Sequence, residues 1–189
     1  ISRGLVGSEM CIRDRSASGK TAELFKTAKN KMGMIPNIFR AFAHSPAVLE
    51  MYMQQSQTLA QGALSPLFRE QIALTVAGSN QCNYCASAHT ALAKSTGANT
   101  DELQRNLSGQ SEDPETQAGL SFAKAIVEQR GHISDRALEE VRAAGFSEQE
   151  IVEIIAHIGL NTFTNYFNHI AEPEIDFPKV RANGVAHAA

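Results

Sequence analysis

From Ser16 onward the apolar residues recur at spacings of three and four, and caps, prolines and glycines interrupt them at helical lengths. Ser18 precedes Ala22, Leu24, Phe25 and Ala28, a stretch closed by Gly33. Pro36-Asn37 breaks the chain before a short helical turn carrying Ile38, Phe39 and Phe42. Ser45-Pro46 and Ser65-Pro66 are matching start signals, each a cap followed by a proline where its missing N–H is harmless. The first opens a helix through Leu49, Tyr52 and Met53 to Gly62. The second opens one through Phe68, Glu70, Ile72 and Val76 that weakens at Gly78-Ser79-Asn80. A cysteine-bearing segment starts the next helix, which ends at Gly97.

The second half repeats these devices. Thr100-Asp101-Glu102 starts a short helix, Asp113-Pro114 starts one reaching Arg130-Gly131, and Ser134 caps Asp135 to Ala144, closed by Gly145. Ser147 followed by Glu150 is a capping box. It opens a helix with Ile151, Ile154, Ile155, Ile158 and Thr162 on one stripe, ended by Pro173. Ile175 to Ala189 reads as an irregular tail. No run alternates apolar and polar between turn signals, so the expected fold is an all-α bundle of about eight helices with no sheet.

Residues 1–15 (ISRGLVGSEMCIRDR) lack the order of a signal peptide and read as an adapter-like, non-native or disordered leader. Residues 16–189 are then expected to form a single domain, and Cys11 has no part in the chemistry. Hydrophobic content of 43% is enough for a core, but aromatics at 6% and the lack of Trp leave it to aliphatic residues, Met and Phe. The net charge of −3 gives no reason to expect nucleic acid or an anionic membrane as partner. No apolar run approaches the roughly 18 residues of a membrane span. Three cysteines, one of them isolated, are not a secreted disulfide framework, so a cytoplasmic location is expected.

The candidate chemistry lies in Cys82-Asn83-Tyr84-Cys85-Ala86-Ser87-Ala88-His89, with Glu70 upstream. On a helix starting at Cys82, the residues Cys82, Cys85 and His89 fall at i, i+3 and i+7, on one face. A thiol at a helix N-terminus feels the positive end of the macrodipole and unpaired N–H groups, which favour the thiolate. A second sulfur three residues away can attack the oxidised product of the first and close a disulfide. If the chain reverses at Gly78 to Gln81, counting outward from residue 80 places Glu70 opposite residue 90, beside His89. The expected order is Glu70, His89, Cys85, Cys82: a carboxylate orienting an imidazole that exchanges protons with a thiol.

Three other readings stay open for these residues. The cysteines can be small core hydrophobes. Cys82, Cys85 and His89 can serve as three zinc ligands, with the fourth recruited from elsewhere. His89 can be a satisfied histidine and Glu70 a solvated charge beside Arg69. His157 beside the apolar stripe, and Asn161, Tyr166 and His169, read as packing or subunit-contact residues.

Glutamate, eleven residues, Cys-x-x-Cys, three residues and histidine, as in Glu70, Cys82, Cys85 and His89, resemble the motif of the alkylhydroperoxidase D-like branch of the carboxymuconolactone decarboxylase family. Gly33-Met34-Ile35-Pro36-Asn37-Ile38-Phe39, Asn168-His169-Ile170 and Glu174-Ile175-Asp176-Phe177-Pro178 are similar to its peroxidase-related members. The resemblance spans about residues 20 to 180. It implies an all-helical subunit of a homotrimer or homohexamer and a cofactor-free thiol peroxidase acting in antioxidant defence. Cys85 would be the peroxidatic and Cys82 the resolving cysteine, with Glu70 and His89 in the proton relay. A hydroperoxide would be the substrate and an external dithiol or protein the reductant. Tyr84 stands where the prototype carries a histidine, and a phenol with an ordinary pKa near 10 is a poor proton shuttle. The family's decarboxylases lack the Cys-x-x-Cys, which argues against that reaction here. The reading from another class is a non-enzymatic, redox-sensing or zinc-holding helical oligomer.

Overall fold

A computed structural model describes residues 16–183. The adapter-like reading of residues 1–15, Cys11 included, lies outside the described residues. Nine helices and no strand are found among the described residues. They are α1 (Gly19–Met32), α2 (Asn37–Phe42), α3 (Pro46–Leu59), α4 (Pro66–Ser79), α5 (Asn83–Ser95), α6 (Thr100–Asn106), α7 (Pro114–Glu128), α8 (Asp135–Ala143) and α9 (Glu148–Ala171). The all-α expectation holds, with the short Ile38–Phe42 turn forming a helix of its own. No helix among the described residues is long and apolar enough to cross a membrane.

The boundaries follow their local chemistry. Ser65, Asp113, Ser134 and Ser147 each accept a backbone N–H with the side chain, and Ser147 with Glu150 closes the capping box in both directions. Ser18 and Ser45 occupy the cap position without such a bond. α6 starts at Thr100 as expected, and Asn99 caps it by accepting the Asp101 N–H with its side chain.

α4 is the axis of the molecule. Gln71 through Ala77 are all buried, the signature of a helix enclosed on every side. Leu74 and Ala77 belong to a core shared with α1, α2, α3 and α5. Phe68, Ile72 and Val76 belong to a second core with α7, α8 and the first half of α9. The helix therefore joins two cores, and its last turn leads directly into the cysteine segment. Close approach sets its other contact: Thr75 Oγ1 donates to the Asn106 carbonyl at 2.9 Å, and Gly78 lies against the Leu107 carbonyl.

α9 departs from the expected stripe. Ile151, Ile154 and Ile158 are buried, but Ile155 is 48% exposed and faces away from the core. The buried face instead continues through His157, Asn161, Thr164, Asn165 and Asn168, so it turns polar along its second half. That polar half packs against the start of α5. Residues 172–183 have no regular structure and run back over α5 as a strap.

Candidate functional site

α4 ends at Ser79, and Gln81 adopts a left-handed backbone (φ 57°) that turns the chain sharply. Cys82 N–H returns to the Ala77 carbonyl at 2.9 Å, and Cys82 becomes the N-cap of α5. Its Sγ takes the place of the usual capping oxygen and accepts the Cys85 N–H at 3.5 Å. Cys82 and Cys85 are 2% and 3% exposed, and both are free thiols.

Across from this turn, Asn168 Nδ2 donates to Cys85 Sγ at 3.2 Å and reaches Cys82 Sγ at 3.9 Å. Cys85 Sγ also lies 3.8 Å from Thr164 Oγ1, whose own proton is given to the Asn161 carbonyl at 2.9 Å. The bond from the Cys85 thiol outweighs burial at Cys82. With the Cys85 N–H, the Asn168 amide and nearby His169, it lowers the Cys82 thiol to about 6. The same thiol–thiol bond, with burial and the adjacent Cys82 charge, pushes Cys85 up. These shifts favour the charge on Cys82, at the helix cap, and the proton on Cys85.

Glu70 and His89 meet as counted. His89 Nδ1 lies 2.8 Å from Glu70 Oε2, with both side chains partly exposed. A carboxylate only accepts, so Nδ1 carries the hydrogen and Nε2 is left to the cavity. That cavity, about 320 Å³, is lined by Cys85, His89 and Glu70 at one side. Tyr52, Phe39, Met53 and Phe177 form apolar walls. Cys82 is not part of its lining. The two cysteines therefore differ in place: Cys85 faces the cavity, and Cys82 lies at the helix cap near Asn168. Among the described residues neither sulfur is hydrogen-bonded to His89.

Tyr84 is a structural tie. Its hydroxyl donates to Asp176 Oδ1 at 2.8 Å and accepts the Ile38 N–H at 3.1 Å, while Asp176 Oδ2 accepts the Asn37 N–H at 2.8 Å. Burial pushes its phenol well above the ordinary value, so it stays a neutral donor. The three stretches noted for their resemblance thus meet around α5. Ser87 and Asn83 extend the tie, bonding Val180 and the Ala182 N–H respectively. Tyr84→Phe leaves the Ile38 N–H without its acceptor and should lower stability by about 1–3 kcal/mol. Denaturant titration checks this, and hydrogen exchange should rise first at residues 172–183.

Thr164 and Asn168 were not among the candidate side chains from sequence. The available signal was a polar series at helical spacing, His157, Asn161, Thr164 and Asn168, on a helix whose first half is apolar. Asn161 packs as expected, donating to the His157 carbonyl. Burial, then the Arg69 charge, lowers His157 to about 4, so it is neutral at physiological pH. His169 Nε2 lies 2.8 Å from the Asn80 carbonyl at the turn, and Tyr166 is exposed. No group of three or more His, Cys, Asp or Glu side chains among the described residues is placed to hold a metal ion, so the zinc reading of the motif finds no geometric support.

Residues 46–129, which include Glu70, both motif cysteines and His89, match the model of the carboxymuconolactone decarboxylase family. No curated protein matches the sequence. Several solved structures share the fold. A peroxidase-related protein from Silicibacter sp. TM1040 superposes with a TM-score of 0.74 at 24% identity, over 90% of this chain and 88% of its own. A peroxidase-related protein from Ralstonia eutropha JMP134, described as an alkylhydroperoxidase AhpD core, gives 0.77 at 21% identity over 84% and 86%. The debrominase Bmp8, a variant in complex with 2,3,4-tribromopyrrole, gives 0.76 at 19% identity over 88% and 91%. The matched segment carries Glu70, the Cys-x-x-Cys and His89, and the surrounding architecture is the one these proteins share. Over residues 46–129 the chain is similar to the carboxymuconolactone decarboxylase family, and its fold is the one seen in the AhpD core and the peroxidase-related structures.

Proposed function

We propose that the protein is a thiol-dependent hydroperoxide reductase. The observation that carries the reading is a single cavity ending on Cys85, with the His89–Glu70 pair in its wall and a second, more acidic thiol behind. Cys85 gives its proton to the unprotonated ring nitrogen of His89, and its sulfur attacks the terminal peroxide oxygen. A sulfur–oxygen bond forms and the O–O bond breaks. His89, oriented by Glu70, hands that proton on to the leaving alkoxide, which departs as an alcohol. Cys82, the thiolate of the pair, attacks the Cys85 sulfenic acid. A disulfide forms, the S–O bond breaks and hydroxide leaves as water after protonation. An external dithiol returns the two electrons.

The exposed apolar side chains of α9, Val152, Ile155, Tyr166 and Ile170, support assembly into a homotrimer or homohexamer. A reducing cytoplasm suits a pair that must be returned to thiols in each cycle.

The test is peroxide consumption by purified protein with a panel of dithiol donors. Thiols are counted before and after a stoichiometric pulse of cumene hydroperoxide. Loss of two thiols per chain, recovery with dithiothreitol and sustained consumption are expected. Loss of thiols without turnover would favour a redox sensor, and stoichiometric zinc in the purified protein would favour a metal-holding module. Because Bmp8 shares the fold, 2,3,4-tribromopyrrole is the control substrate: thiol-dependent bromide release in place of peroxide consumption would move the reading to that chemistry.

A further inference from the structure

Asn168 lies far from the Cys-x-x-Cys in sequence, on a different helix, yet its side chain touches both sulfurs. Nδ2 is 3.2 Å from Cys85 Sγ and 3.9 Å from Cys82 Sγ. It is the one side-chain amide among the described residues that does so. Its other end, Oδ1, is buried with no hydrogen-bond partner. A buried acceptor left without a donor is destabilising by about 1–3 kcal/mol, so its retention asks for an explanation. The side chain is 5% exposed and fixed on the polar half of α9, next to Thr164 and Asn165.

The geometry points to Asn168 as a catalytic residue that serves the reactive pair in two oxidation states: Nδ2 donates to the sulfurs of the reduced pair and stabilises the negative charge they share, and Oδ1 receives the hydroxyl of the Cys85 sulfenic acid.

The two ends of the amide fit the two species. A thiolate only accepts, and in the reduced protein the N–H end of Asn168 faces the sulfurs. Attack on a peroxide places an –OH on Cys85 Sγ, which brings a donor into a place that held none. The two polar atoms of a carboxamide are about 2.3 Å apart, so a group within hydrogen-bond reach of Nδ2 is within a small side-chain rotation of Oδ1. When Cys82 then closes the disulfide and hydroxide leaves, the donor is lost and Oδ1 returns to its unpartnered state. The amide itself is neither oxidised nor deprotonated in either step. The thiolate half of this inference is independent of peroxide chemistry, whereas the sulfenic acid half rests on the reading of the protein as a peroxidase.

The closing experiment uses Asn168→Leu, close in volume but without polar atoms, and Asn168→Ala, which only removes atoms. The pH dependence of iodoacetamide alkylation reads the thiolate without any peroxide. Removal of the donor should move the alkylation midpoint upward by about one pH unit or more. In a glutathione redox buffer, the disulfide–dithiol equilibrium should shift about tenfold or more toward the disulfide, because the reduced form has lost its stabilising bond. A midpoint within a few tenths of the parent in a variant that still melts cooperatively would overturn the thiolate role. Should neither variant fold, the unaltered protein decides. Its Asn168 side-chain amide proton resonances should move with the midpoint of thiol alkylation, and resonances that stay fixed across that range would overturn the assignment.

The sulfenic acid role is read in a Cys82→Ser background after one equivalent of hydroperoxide. Dimedone-trappable sulfenic acid should decay several-fold faster when Asn168→Leu is added. An unchanged lifetime would overturn that half alone. Absence of any sulfenic acid in the Cys82→Ser parent would instead count against the peroxidase reading and leave the thiolate result standing.

Discussion

Cys85→Ser is expected to reduce peroxide consumption to background, while Cys82→Ser leaves one equivalent of a trappable sulfenic acid on Cys85. The first follows because a serine hydroxyl remains protonated at neutral pH and does not form the sulfenic acid on which the cycle depends. The second follows from position. Cys82 is outside the cavity lining and, in the proposed cycle, is the sulfur that closes the disulfide, so its removal should stop that cycle after the first oxidation. Folding should survive both changes. Serine is a preferred N-cap residue, so Cys82→Ser keeps α5 started, and at position 85 a hydroxyl retains Thr164 and Asn168 as partners. Dimedone labelling read by intact-mass spectrometry, with a peroxide assay on the same samples, checks both. Equal residual turnover in the two variants would reverse or dissolve the assignment of roles.

Gly78→Ala should be the most damaging conservative change outside the sulfur pair. A Cβ built on Gly78 would lie 1.7 Å from the Leu107 carbonyl oxygen, and 2.7 Å from the carbon that carries it. Neither atom is the end of a flexible side chain, so relief requires α4 and the end of α6 to separate. Alanine's advantage over glycine in a helix, about 1 kcal/mol, is too small to offset this. Overpacking a core commonly destabilises by about 1–3 kcal/mol, and a backbone contact this short belongs at or beyond the upper end. Separation would also break the Thr75 bond to the Asn106 carbonyl. Chemical denaturation should show a lower midpoint with an unchanged slope. A midpoint equal to the parent would refute the packing argument.

Much of the arrangement was legible before any coordinates because it depends on local rules. Glu70 and His89 are joined by one turn, and once the chain is known to reverse near residue 80, antiparallel counting brings them together. The caps at Ser65, Asp113, Ser134 and Ser147 were visible for the same reason: each bonds within its own first turn. Asn168 was not, since its contact with the sulfurs bridges two separate helices and no periodicity encodes which polar residue of α9 meets α5. Ile155 shows the converse failure. It sits at the right spacing for the apolar stripe, but burial is decided by which neighbours surround the helix, and none covers that position within one chain. Tyr84 looked like a gap in a proton relay when only its titration was considered. Its partners Asp176 and Ile38, both distant in sequence, give it a mechanical role instead.

The strap has a consequence for biosynthesis. Asp176, Val180 and Ala182 bind Tyr84, Ser87 and Asn83 on the cysteine helix, and Phe177 completes a wall of the cavity. A chain emerging from the ribosome in order presents the nine described helices before those residues are available. The two thiols are therefore made early, but the pocket that would bring a peroxide to Cys85 is finished last. Nascent chains should complete the cavity wall and the strap only after translation has passed residue 182.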